Sequence, residues 1–380
     1  MAGYIVSLDN LTSLDLYTRN GVYATKLSAP QNSLWKSHHE GTFADYATMR
    51  AGDNIYFFIQ RKIYGIGKLV DVGPDCKFFN FPDAAKPHNV SYSSIKRQLL
   101  WDETNQSINQ RCVCFFEPDP HFFTHGIDMD DVLSSNPNAF KMLRVFWKLS
   151  FIKFDDEENQ AFRDIILKRN ENAMAGGTST FTFQSHPASA VRISPTYAFD
   201  PGIADILASC AAGDRLKHEM AIEAGLLHQL SIMHRPTCDV LGTWDYLSHQ
   251  VVASPFKPVD YMDKMDLFGY SYVPGFKPTK ARFLVAEIKK DMGWQQDIDQ
   301  LMKYVDWVRD EYCHGDYAMI RAFLIAHEFD TNAITHKQTA GVRSYTIGVR
   351  PAQSLEWRDL KLVRYAFNST SRRIDLEVIS

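Results

Sequence analysis

Residues 282–305 read RFLVAEIKKDMGWQQDIDQLMKYV, and the remainder of the chain makes most sense as support for this segment. Phe283, Leu284, Val285 and Ala286 form a short apolar run behind a Pro/Gly/Lys loop, the pattern of a buried strand. Side chains alternate across a strand, so Glu287 and Lys289 at its end share one face and Ile288 takes the other. After a Gly-containing turn, Ile298, Leu301, Met302, Val305 and Val308 recur at helical spacing. Gln300 and Tyr304 lie one turn apart on that helix and can face the same site.

Upstream, VDYMDKMDLFGYSY spans residues 259–272 and predicts a neighbouring strand through Met265, Asp266 and Leu267. Antiparallel pairing would set Asp266 close to Glu287. Two adjacent carboxylates repel and call for a cation, and hard oxygen donors suit Mg²⁺, which keeps several waters and takes one or two carboxylates. Lys289 is then placed to orient a water and to steady charge developing on a phosphate. Taken singly, Glu-x-Lys on a strand is an ordinary solvated charge pair. Its context is what lifts it above that reading.

Asp266, then Glu287-Ile288-Lys289 closing an apolar strand, then a helix with Gln300 and Tyr304, resembles the PD-(D/E)XK, or restriction-endonuclease-like, nuclease superfamily. The Gln-x-x-x-Tyr addition is similar to the branch that holds DNA-repair and restriction nucleases. Met265 stands where the family usually has Pro, and Asp263 is near enough to rival Asp266 for the metal. The resemblance implies a mixed sheet flanked by helices, DNA as substrate and Mg²⁺ or Mn²⁺ as cofactor. The metal ligands it implies are Asp266, Glu287 and the Ile288 carbonyl, joined by an acid from the first helix. Glu219 and Glu223, within Arg215 to Met233, match that acid's place. Glu223 is preferred because Ile222, Leu226 and Leu227 set it nearer the packed side.

At 380 residues the chain has room for two cored domains. Apolar residues make up 45% and charged residues 23%, ordinary globular usage that excludes a disordered chain. A formal net charge of −4 argues against a protein that coats nucleic acid nonspecifically, while leaving room for a local basic groove. Cys76, Cys112, Cys114, Cys210, Cys238 and Cys313 show no zinc-ligand spacing, and Cys112 and Cys114 alternate within a strand as core residues do. No run approaches the roughly 20 apolar residues of a membrane span, and the N-terminus has no secretory pattern, so no membrane partner and a cytoplasmic location are expected.

The N-terminal half reads as β-rich. Tyr4 to Ser7 form an opening strand, and NIYFFIQ (residues 54–60) and IYGIGKLV (residues 63–70) form a hairpin turned at Arg61-Lys62. These residues, with Gly21 to Thr25 and the Gly52-Asp53 turn, resemble the PUA-like fold of EVE and YTH domains, which grip a flipped, modified base between aromatic rings. That resemblance implies a β-barrel reader and points to Tyr23, Thr25 and Trp35 as nucleic-acid contacts. Any one aromatic, taken singly, is more often a packing residue than a base contact. From Asp128 to Asn172 the pattern turns helical, and residues 173–189 are small and polar.

The expectation is therefore an α/β (α+β) protein with a reader at 1–170, a linker at 171–199 and a nuclease domain at 200–380. The expected activity is metal-dependent endonucleolytic hydrolysis of DNA directed by a modified base, as in restriction or antiphage defence. A repair nuclease acting on mismatched or branched DNA is one rival. A non-catalytic nucleic-acid-binding protein is the other. Many enzymes that cut both strands are dimers, so a homo-oligomer stays open.

Overall fold

A computed structural model of the chain describes residues 1–26, 44–71, 76–80, 111–140, 151–177, 203–253 and 263–380. The chain divides into two compact units, Met1–Ser209 and Cys210–Ser380. Among the described residues no helix is long and apolar enough to cross a membrane.

The first unit opens with β1 (Gly3–Ser7), α1 (Leu11–Asn20) and β2 (Val22–Lys26). Asn10 caps α1 by accepting the Ser13 N–H, and Gly21 closes it at φ 61°, a left-handed position suited to glycine. The hairpin strands are β3 (Asn54–Ile59) and β4 (Lys62–Leu69). Their turn falls on Gln60 and Arg61, both at positive φ, one residue earlier than expected. Then follow β5 (Lys77–Asn80), β6 (Arg111–Asp128), α2 (Met129–Ser135), β7 (Phe151–Phe154), α3 (Asp156–Arg169) and α4 (Glu171–Gly176). α5 (Ile203–Cys210) ends at the unit boundary.

The strands run in the order β2-β6-β4-β3-β1-β7, with β5 beside β6. β1 and β3 are parallel and the other pairs are antiparallel. Among the described residues this sheet does not close into a barrel. α3 starts with a capping box between Asp155 and Glu158 and lays Phe162 on Phe154, ring centroids 4.6 Å apart. Beneath it Asn54 is fully buried and makes bonds to Gly67, Asp119, Asn159 and Arg163.

Two readings of this unit change. Residues 151–154, expected to be helical, form β7, because pairing with β1 overrides a weak local preference. The expected linker begins with a helix, α4, and residues 178–199 of it lie outside the described residues.

The second unit begins with the two-residue strands β8 (Ala211–Ala212) and β9 (Arg215–Leu216), then α6 (Glu219–Ser231), α7 (Arg235–Leu241) and β10 (Tyr246–Val252). β11 (Lys264–Tyr272), β12 (Lys280–Gly293), α8 (Gln295–Tyr312) and β13 (Ile320–Phe329) follow. α9 (Thr331–Ala340), the pair β14 (Arg343–Ile347) and β15 (Gln353–Trp357), β16 (Leu360–Asn368) and β17 (Arg373–Val378) complete it.

Its main sheet has the order β10-β11-β12-β13-β16-β17. β10, β11 and β12 pair antiparallel, β12, β13 and β16 parallel, and β17 antiparallel to β16. Residues 283–288 of β12 are all buried, as expected of a strand covered on both faces. α8 covers the Phe283 face: its Ile298, Leu301, Met302, Val305 and Val308 are buried, and Tyr312 meets Phe268 and Phe283. Each such buried side chain contributes about 1.5–3 kcal/mol. α6 is tied to β17 by the Gln229 amide, which donates to the Ile374 carbonyl at 2.9 Å and accepts its N–H at 2.8 Å.

Candidate active site

β12 carries Glu287 and Lys289 on one face, and Lys289 Nζ lies 2.6 Å from Glu287 Oε1. The Glu287 side chain is 3% exposed and that of Lys289 24%. Glu287 Oε2 is buried without a hydrogen-bond partner among the described residues, an open acceptor in a dry place.

Asp266 arrives from β11. The β11–β12 ladder stops at Leu267 and Ala286, and one step further the same register sets Asp266 opposite Glu287. There the backbone pairing gives way: the Ile288 N–H donates to Asp266 Oδ2 at 2.7 Å. Gln250 Nε2 donates to Asp266 Oδ1 at 3.1 Å and stands 3.5 Å from Glu223 Oε1. Gln250 has φ 51°, a left-handed conformation that costs a non-glycine residue about 1 kcal/mol or more. The β10–β11 register skips this residue and resumes at Val251 and Met265, so the twist spends one ladder position on aiming the amide at two carboxylates.

α6 contributes both of its glutamates. Glu223 Oε2 is 3.2 Å from Nδ1 of the buried His249, and Glu219 Oε1 accepts the Lys290 N–H at 3.3 Å. On α8, Gln300 Nε2 donates to the Tyr304 hydroxyl at 2.5 Å, and Tyr304 is buried. Asp297 Oδ1 lies 3.8 Å from Lys289 Nζ. Asp263, at the foot of β11, accepts the Ala253 N–H with its carbonyl, and its charge reaches Tyr304.

The electrostatics are those of crowded carboxylates. Burial, then the charges of Glu287 and Glu223, push Asp266 well above the usual carboxylate range. Burial lifts Glu287 to about 7 even though Lys289 pulls it down. Glu219 is raised by burial as well. Burial works to lower Lys289, but Glu287 outweighs it and holds the ammonium more firmly protonated. Burial and then the Glu287 charge raise Tyr304.

Among the described residues no group of three or more His, Cys, Asp or Glu side chains forms a metal-holding cluster, so no all-protein cage exists there. Asp266 and Glu287, the latter with an orphaned oxygen, are the kind of donors that a hard cation retaining water, Mg²⁺ or Mn²⁺, would take. Added positive charge would offset the burial and the carboxylate repulsion that together raise Asp266.

Asp266, Glu287, Lys289, Gln300, Tyr304, Glu223, Glu219 and Asp263 therefore gather around the middle of β12, where its pairing with β11 stops. Gln250, His249 and Asp297 belong to the same network and were not singled out from sequence. Alternation along β10 was the available signal for Gln250, since it counts to the place facing Asp266.

In the first unit, Tyr23 does not offer a ring to a base. It is 2% exposed, packed against Tyr17 and Phe57 at 5.4 and 6.0 Å, and its hydroxyl donates to the Ser7 carbonyl. The expected base contact is thus a core residue. Thr25 is half-buried on β2 opposite Cys112, and Trp35 lies outside the described residues.

No protein-family model and no curated protein matches the sequence. Among solved structures, a repair endonuclease from Pyrococcus abyssi matches at 21% identity and TM-score 0.19, covering 28% of this chain and 39% of that one. A hypothetical protein from Leishmania major matches at 11% identity and TM-score 0.27, covering 46% of this chain and 97% of that one. The match thus spans well under half of the endonuclease, and likenesses this slight carry no argument about activity.

Proposed function

We propose that the second unit is a PD-(D/E)XK-type endonuclease that hydrolyses phosphodiester bonds of DNA with Mg²⁺ or Mn²⁺. The observation that carries this reading is the pair of half-buried Asp266 and buried Glu287 beside Lys289, with Glu287 Oε2 unsatisfied. The sheet supports it, with an antiparallel β10-β11-β12 wing joined to parallel β12, β13 and β16.

Asp266, Glu287 and the Ile288 carbonyl would hold the cation, with Glu223 on the far side of Gln250. Bound there, the metal would polarise the phosphate and acidify a water. Lys289 is placed to orient that water and to steady negative charge building on the phosphate oxygens. Tyr304 lies within electrostatic reach of Glu287, and Gln300 orients its hydroxyl through their mutual bond. Asp297 gives Lys289 a second, longer carboxylate contact at 3.8 Å.

The first unit, near residues 1–170, is assigned as a PUA-like reader of a modified base on resemblance alone, and modification-directed restriction or antiphage defence follows from that pairing. Cleavage of unmodified and base-modified plasmid with Mg²⁺ or Mn²⁺, compared with Lys289→Ala, tests both parts. Metal-dependent nicking lost in the variant supports the nuclease, and a preference for modified plasmid supports the reader. Absence of cutting on every substrate would overturn the assignment.

A further inference from the structure

α8 opens on a residue that helix capping does not call for. An N-cap favours Ser, Thr, Asp or Asn, whose oxygen accepts a free N–H of the first turn. Here the position holds Trp294, whose indole is a donor only. Nor is the ring a core residue: it is 51% exposed and makes no ring–ring contact among the described residues.

Its backbone, by contrast, is fixed on both sides. The Trp294 N–H donates to Asp297 Oδ2 at 2.8 Å, while Oδ1 of the same carboxylate lies 3.8 Å from Lys289 Nζ. Just before it, the Gly293 carbonyl accepts the Asp330 N–H at 3.2 Å, and a Cβ on Gly293 would come within 2.9 Å of the Phe329 ring. A large exposed aromatic is thus mounted on a rigid backbone, and one carboxylate ties that mount to the site lysine.

We propose that Trp294 is a stacking platform for a nucleobase flanking the scissile phosphate, which favours DNA whose bases there are unpaired. This rests on the endonuclease reading. A base inside a duplex is stacked on both faces, whereas an unpaired one has a face free, and every base has such a face whatever its identity. Trp294 therefore selects for strand state, not sequence.

The test is binding, by fluorescence anisotropy with Ca²⁺ in place of Mg²⁺, of a labelled single-stranded oligonucleotide and the blunt duplex of the same sequence. Full-length wild type, Trp294→Ala, Trp294→Leu and Trp294→Phe are compared, with thermal melts confirming that each is folded. Trp294→Ala should lose about five-fold to a hundred-fold of its single-strand affinity. Trp294→Phe should regain most of it and Trp294→Leu little, with duplex affinity unmoved. Unchanged single-strand binding in Trp294→Ala, or equal rescue by Leu and Phe, overturns the proposal while a cutting wild type leaves the endonuclease standing. A wild type that neither binds nor cuts DNA removes both.

Discussion

Lys289 and Glu287 share an ion pair of 2.6 Å between residues two apart on one strand, and the ammonium covers one carboxylate oxygen while leaving the other bare. The pair therefore keeps a buried acid partly neutralised without closing the position a cation would use. Removing Lys289 separates chemistry from folding. Glu287, already raised to about 7, can answer the loss by taking a proton. Lys289→Ala should cost about 1 kcal/mol of stability in urea denaturation and about 10²–10³-fold in cleavage rate. A stability loss as large as the activity loss would mark Lys289 as structural.

The raised carboxyls fix a pH dependence. Glu287 titrates near 4.5 when unfolded and about 7 when folded, so the folded metal-free protein holds more protons between these values. Its stability must fall as pH rises through that window, by at most about 1.4 kcal/mol per pH unit for this one group. Asp266 is shifted the same way and adds to the slope. Divalent metal binds the deprotonated acids, so Mg²⁺ should raise the melting temperature more at pH 8 than at pH 6. Calorimetric melts with and without Mg²⁺ at both values check this, and a Mg²⁺ effect that is larger at pH 6 would contradict it.

Gln250 offers a split between stability and activity. At φ 51° it is strained, and glycine accepts that conformation freely. Gln250→Gly relieves that strain but loosens the unfolded chain and takes the donor from Asp266 Oδ1, so stability should change by no more than about 1 kcal/mol. It also removes the amide that holds Asp266, so cleavage should drop by about ten-fold or more. Gln250→Asn, which tolerates the left-handed region but carries its amide one methylene short, keeps the backbone and withdraws the donor. Melting temperature and cleavage rate measured together decide the matter.

In the first unit, Asn54 is the most connected buried polar side chain of its network. Its amide donates to Gly67 and Asp119 and accepts from Asn159 and Arg163. Asn54→Ala strands at least two of those partners away from water and should cost about 2 kcal/mol or more in chemical denaturation.

The sheet and helix around the site were legible because β12 carries an unbroken apolar run and α8 keeps a helical period. Alternation alone put Glu287 beside Lys289, and antiparallel pairing alone brought Asp266 near. Local pattern could not show that Gln250 leaves the ladder, because a left-handed twist in a strand has no composition of its own. It could not show the burial of Tyr23 either, since Tyr17 and Phe57 reach that ring from other elements. Residues 151–154 misled for the same reason: Phe-Ile-Lys-Phe becomes a strand only beside β1.

β12 pairs antiparallel with β11 and parallel with β13, and the two partnerships differ in how much chain they require. The β11–β12 hairpin closes through a short turn, whereas β13 reaches its place only after the whole of α8 has crossed over. During synthesis Asp266 and Glu287 would meet early, on a ribbon whose other edge is an apolar, unpaired backbone. The candidate site thus sits on the seam between fast and slow assembly. A nascent chain paused before Ile320 would carry its acids in place and its stickiest strand uncovered, the state in which a chaperone has most to do.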